Sequence, residues 1–319
     1  MLNVEMRKNA VITLAAFMLV AVLVSNPAYA YIWVDDGYQP TGQEQAKQGI
    51  SGCVFYDSNV NGERDAGEPV LSGIVVELWV GEDRATSTLT GSTYSFYNVW
   101  GEYTVKVGLA ENWVSTTPPA VTLTVEQGET AISDFGVVRI GCYGGGHTVG
   151  FWSSKNGEDQ IKDGPGGEST ELSLLWEYNL RTRDGDRFEP ASYSELRLWE
   201  YNLRTRDGDR FEPASYSELR NWLLNGDATN MAYKLSTHLA AMILNVEAGF
   251  VNPNAPVYAP GVDPGTDFPT ISELINKATY QLGLNGYTPS GDPNRAYQEL
   301  LSRALDAANN NLNFVCPAP

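Results

Sequence analysis

The feature that most constrains the fold is a change of rhythm part-way along the chain. Over residues 50–138, apolar and β-branched runs recur at 50–56, 73–80, 94–99, 102–107, 120–125 and 132–138, with Gly, Pro, Asn and Asp in the gaps. Short runs bounded by turn residues read as strands. The run 73–80 holds Ile74, Val75, Val76, Leu78, Trp79 and Val80, as a central strand would. Six or seven short strands within about ninety residues predict a small antiparallel sandwich.

Beyond residue 157 the pattern turns helical. Leu235, Leu239, Met242, Ile243 and Val246 share one face of a helix expected over 228–248. Ser215 with Glu218, and Thr270 with Glu273, have the spacing of capping boxes, in which hydroxyl and carboxylate each satisfy a free amide at a helix start. Asp292 before Pro293 opens a last helix expected over 293–312. Residues 252–269 are a Pro/Gly-rich loop. The expected organisation is therefore multidomain β + α: a signal peptide at 1–30, an N-terminal arm at 31–49, a β-sandwich at 50–138, a Gly-rich linker and opening motif at 139–157, and an all-α domain at 158–319. Gly144, Gly145 and Gly146 read as a flexible joint.

The helical part contains a 23-residue tandem duplication: residues 175–197 recur, residue for residue, as 198–220. A solenoid needs at least about three units to bury a continuous core. Two identical copies point instead to a recent in-frame duplication or an assembly error. Trp176, Trp199 and Trp222 recur at the repeat period and read as core, as do Phe151 and Trp152.

The first thirty residues have the build of a secretory signal. Arg7 and Lys8 precede an apolar run over 10–24, and Ala28-Tyr29-Ala30 forms a cleavage pattern. The chain is expected to be secreted, to the extracellular space or the cell surface, with no membrane insertion after cleavage. Lys and Arg number 21 against 39 Asp and Glu, a net charge of −18. That balance argues against nucleic acid and against anionic membrane surfaces, and it suits cation binding. An oxidising compartment permits disulfides. Cys142 and Cys316 bracket the C-terminal half, and a bridge between them would tie its ends together, although spacing alone does not fix connectivity. Cys53 would then remain as a free thiol or an intermolecular link.

The chemistry legible in the chain lies in residues 57–68. Asp57, Asn59, Asn61, Asp65 and Glu68 place side-chain oxygens at positions 1, 3, 5, 9 and 12 of a twelve-residue loop. Gly62 stands at position 6, and Glu63 at position 7 would offer its backbone carbonyl. This is the spacing that wraps six or more oxygens around one calcium ion. A plain polar turn built on Asn61-Gly62 would not need oxygens at five spaced positions. The expected metal ligands are Asp57, Asn59, Asn61, Glu63, Asp65 and Glu68, with calcium as the cofactor in a structural role.

Residues 50–57, this loop and residues 67–78 together resemble the SdrD B-like, or Cna B-type, repeat of serine-aspartate repeat surface adhesins. Tyr94-Ser95-Phe96, the segment 101–105 and the closing Asp134-Phe135-Gly136-Val137-Val138 match as well. The resemblance implies a prealbumin-like β-sandwich serving as a calcium-stiffened spacer. Two positions depart from it: Cys53 where a small polar residue is usual, and Thr90-Gly91-Ser92-Thr93 in place of an Asp-x-x-Gly turn. No lysine stands in the first strand, so an internal Lys–Asn isopeptide bond is not expected. The segment 147–157 resembles a Gly-aromatic-Trp motif that opens secreted bacterial domains of unassigned role. His147 and His238 read as structural residues.

The expected function is that of a non-enzymatic extracellular or cell-surface protein, acting in adhesion or matrix. A calcium-stabilised spacer would present a helical domain to an extracellular protein or glycan. The alternative is a carbohydrate-active hydrolase or carbohydrate-binding protein with its site in the helical domain, since paired carboxylates suffice for glycoside hydrolysis.

Overall fold

The computed structural model describes residues 48–164, 172–187 and 216–319. The expected signal peptide, nearly all of the arm, Ser215 with its capping role, Trp199 and most of the duplication lie outside the described residues.

The first half is built of ten short strands: β1 Gly49–Gly52, β2 Val54–Tyr56, β3 Val75–Val80, β4 Asp83–Leu89, β5 Tyr94–Tyr97, β6 Gly101–Gly108, β7 Trp113–Ser115, β8 Ala120–Val125, β9 Thr130–Ile132 and β10 Phe135–Arg139. They form three sheets, ordered β5-β1-β9, β2-β10-β7 and β4-β3-β6-β8. β3 is central, as its apolar run requires, and alternates so that Val76 and Leu78 are buried. Ile50, Val54, Val105, Phe135 and Val137 complete the core with them.

The sheets are mixed rather than purely antiparallel. β1 runs parallel to β9, and β2 parallel to β10, with Val54 opposite Phe135. The first and last strands are each broken at the same level, β1 from β2 at Cys53 and β9 from β10 at Ser133-Asp134. The breaks hold each other: the Cys53 amide donates to Asp134 Oδ1 (2.7 Å), and the Phe135 amide donates to the Cys53 carbonyl (3.0 Å). Both strands cross between sheets together, so they lie side by side in one direction. Cys53 is 4% exposed and unbridged, and burial pushes its thiol up to about 11. A link through it to another chain would require this core to open.

β4 is a strand that periodicity does not announce. Its Asp-Arg-Ala-Thr-Ser-Thr-Leu sequence is almost wholly exposed at a sheet edge. It follows from β3 through Gly81-Glu82, with φ 58° at Gly81, the left-handed position that a two-residue hairpin loop demands.

Six α-helices follow among the described residues: α1 Val149–Trp152, α2 Lys155–Asp163, α3 Tyr216–Leu224, α4 Met231–Glu247, α5 Ile271–Leu284 and α6 Arg295–Asn309, with a 3₁₀ turn at Leu174–Tyr178. α4 is the hub. Fourteen of its seventeen residues are buried, polar ones included, as in a helix covered on every side. The Thr270–Glu273 capping box is present on α5: Thr270 N–H donates to Glu273 Oε2 (2.7 Å), and Glu273 N–H to Thr270 Oγ1 (3.3 Å). α6 begins at Arg295 rather than 293, because Asp292 is spent on a turn, accepting from Asn294 N–H (2.8 Å). Trp152, at 1% exposure, and Trp222 are core residues.

The two halves are stitched at 139–146. Cys142 and Cys316 are joined by a disulfide. Ile140 pairs with Val315, Gly141 N–H donates to Phe314 O (3.0 Å), and Cys316 N–H donates to Arg139 O (2.8 Å). Gly144-Gly145-Gly146 is a packed seam and not a flexible joint. A Cβ on Gly144 would lie 2.3 Å from the Phe314 ring, one on Gly145 1.8 Å from Phe250 O, and one on Gly146 2.2 Å from Ala308 O. Asn311 Oδ1 accepts from both Gly144 N–H and Gly146 N–H (2.9 Å each). The glycines serve close approach here, not freedom.

Candidate metal site

The loop 57–68 leaves β2 and returns at Val70, which bridges Phe55. No helix flanks it, so it cannot open as a helix-paired sensor does. Asp57 is the last residue before the turn and is fully buried. Its two oxygens accept from Asn61 N–H (3.1 Å) and Gly62 N–H (2.7 Å), and among the described residues no cationic side chain pairs with it. A buried carboxylate held by backbone amides alone is costly unless a positive charge shares the site.

The other side-chain oxygens of the loop are engaged by amides of the loop itself. Glu68 spans the loop, accepting Ser58 N–H on Oε1 (2.7 Å) and Asp65 N–H on Oε2 (3.1 Å). Asn59 Oδ1 accepts from Asn61 N–H (3.2 Å), and Asn61 Oδ1 accepts from Glu63 N–H (2.7 Å). Both amide groups donate to one atom, Asp65 Oδ2, at 2.7 and 2.8 Å. Glu63 enters through its backbone only. All six expected residues thus belong to one hydrogen-bonded ring.

Among the described residues, no three His, Cys, Asp or Glu side chains lie close enough to hold a metal ion by themselves. Asp57, Asp65 and Glu68 do not form such a group, and the two Asn carbonyls would have to join them. Each such oxygen has two lone pairs, one engaged by a backbone N–H and one left for a cation. The donor set is entirely oxygen, which fits a hard cation such as calcium and not zinc.

Two further features were not legible in the spacing. Val60 holds φ 54°, a left-handed conformation that costs a β-branched residue about 1–2 kcal/mol. Its side chain packs into a small cluster with Tyr56, Phe268, Trp113 and Tyr258, so burial holds the strain in place. Beside this cluster lies an open cleft of about 650 Å³ between the halves, lined by Asn61, Trp113, Thr117, Tyr258, Asp263 and Asp267 among others. Asp263 is ion-paired with Lys277 (2.7 Å). His147 lies at neither place. It stacks on Phe151 (4.1 Å between ring centroids) against Phe250 (4.7 Å), and burial lowers its pKa.

No model of a known protein family matches the chain. No curated protein matches it either. Among the described residues, no helix is long and apolar enough to cross a membrane.

Proposed function

We propose that the chain is a secreted, calcium-stiffened spacer of the cell exterior that presents its helical half to an extracellular protein or glycan. The observation that carries this reading is Asp57: a buried carboxylate that accepts two backbone amides and, among the described residues, has no cationic partner, at the head of a loop with oxygens at calcium spacing. The SdrD B-like resemblance of 50–138 points the same way. The filled core around α4 suits a domain that binds through its surface.

Thermal unfolding in calcium and in chelator tests the metal. For a site with a Kd of ~1 mM, 10 mM calcium stabilises the native state by about 1.4 kcal/mol. Glu68→Gln, which removes one ligand charge, should abolish most of that gain while leaving stability in chelator within ~0.5 kcal/mol. Identical midpoints in calcium and chelator refute the calcium role.

The cleft favours a second reading, glycan binding at the junction of the halves rather than within the helices alone. Trp113 and Tyr258 offer apolar faces beside Asn61, Thr117 and Asp267, the mixture that a polyhydroxylated ring requires. Titration calorimetry with neutral oligosaccharides, repeated on Trp113→Ala, separates this reading from the first.

A further inference from the structure

The connectivity at the seam has a mechanical consequence. Cys142 opens the helical half and Cys316 closes it. They are 174 residues apart in sequence, and their Cα atoms lie 5.3 Å apart across the disulfide. β10 ends at Arg139, three residues before Cys142. The returning strand bonds to the β half itself: Cys316 N–H donates to Arg139 O (2.8 Å), and the Tyr56 hydroxyl donates to Cys316 O (2.6 Å). The chain therefore leaves the β half at one point and comes back to the same point, with the whole helical half inside a closed covalent loop.

We propose that this loop shields the helical half from force. Tension on the chain takes the shortest covalent path, which runs from Gly49 through the β half to Cys142, across the disulfide to Cys316, and on to Pro319. The hydrogen bonds of Arg139, Tyr56 and Gly141 lie beside that path and hold the seam closed, but the disulfide carries the load when they yield. Helices α1 to α6 are bypassed. They keep their fold, and any ligand on them, while the β half is stretched. The biological use of this device rests on the spacer reading; the load path itself takes nothing from calcium.

Optical-tweezers stretching of the full chain, held by its two ends in calcium, reads the path directly. With the disulfide intact, unfolding should release residues 49–142, which is 142 − 49 = 93 residues at about 3.6 Å each, roughly 330 Å. The chain before Gly49 contributes equally in every arm. Adding reductant to the same tethered molecule should then release a further 174 residues, roughly 630 Å. Working on one tethered molecule avoids relying on Cys142→Ser or Cys316→Ser, which could fail to fold.

An oxidised molecule that already yields the additional ~630 Å overturns the proposal, as does a reductant step that adds no length. Peptide mapping that finds Cys142 or Cys316 bridged to Cys53 overturns it as well. Chelating calcium should alter the force at which the β half opens without changing either length. An absence of that force change would count against the calcium reading and leave the load path standing.

Discussion

Asn245 is the residue whose loss should be felt most widely in the helical half. It sits on α4 with no exposed surface, and all four of its hydrogen-bonding positions are used. Its Oδ1 accepts from His147 N–H (3.1 Å) and Trp152 Nε1–H (3.0 Å), and its Nδ2 donates to His147 O (2.9 Å) and Asn309 Oδ1 (2.9 Å). Asn309 in turn donates to the His238 carbonyl (3.0 Å), so one amide ties the opening motif, the hub helix and α6 together. Asn245→Leu keeps the volume and removes every one of these bonds. Four partner groups then lose a bond, those of Trp152 and Asn309 in a buried site and the two of the His147 backbone in a part-buried one, each costing about 1–3 kcal/mol when unsatisfied. At the low end the loss is about 4 kcal/mol, after which a domain of this size melts roughly 8–16 °C lower. Circular dichroism at 222 nm with a denaturant series on the native chain measures it. Asn225→Leu provides the control: Asn225 is exposed, its side-chain bond among the described residues is to Asn221 O, and its loss should stay within ~0.5 kcal/mol. A fall of less than about 1 kcal/mol for Asn245→Leu would refute the view that this amide organises the domain.

Two further outcomes follow from the same packing. Gly145→Ala meets Phe250 O at 1.8 Å and sits at φ 89°, whereas Gly128→Ala sits at φ 99° with nothing within 4 Å. Both pay the left-handed term of about 1–2 kcal/mol, so the excess loss at Gly145, expected to exceed ~1 kcal/mol by chemical denaturation, isolates the seam contact. His238 is 5% exposed, and burial holds its pKa down to about 4, with the carboxylate of Asp306 pulling the other way and Lys234 adding to the fall. The unfolded chain binds a proton near pH 6.5 that the folded chain refuses until about pH 4, so stability drops by about 3 kcal/mol across that window as pH falls. His238→Gln should flatten that part of the stability-versus-pH curve, and a curve unchanged by the substitution would contradict the burial argument.

The residues differ in how openly they declare their roles. Thr270 and Glu273 were legible because a capping box spans only four residues and closes on itself. The oxygen spacing of 57–68 was legible for the same reason, since one loop supplies every one of those oxygens. The burial of Asp57 was not, because the partner of its backbone amide, the Val137 carbonyl, lies far along the chain. β4 is hidden in the sequence because Asp83, Arg84, Thr86 and Ser87 give no alternation; hydrogen bonding to β3 makes it a strand. The parallel pairings depend on a registry between strands about eighty residues apart, which local pattern does not encode. Gly144-Gly145-Gly146 was misread for the reason opposite to the capping box. Composition marks glycine as loose, and only its distant neighbours Phe250, Ala308 and Phe314 show that it is tight.

The enclosure of α4 also orders events during synthesis. A ribosome delivers the hub helix before α5, α6 and the Phe314–Cys316 strand exist, so about fourteen buried residues wait for partners made later. Asn245 gains Asn309 only when α6 emerges, and the seam closes only when Phe314 reaches Gly144. The helical half therefore cannot mature from its front end. Its final few residues act as the keystone, and a chain cut short before residue 309 would emerge with α4 complete and its interior open to water.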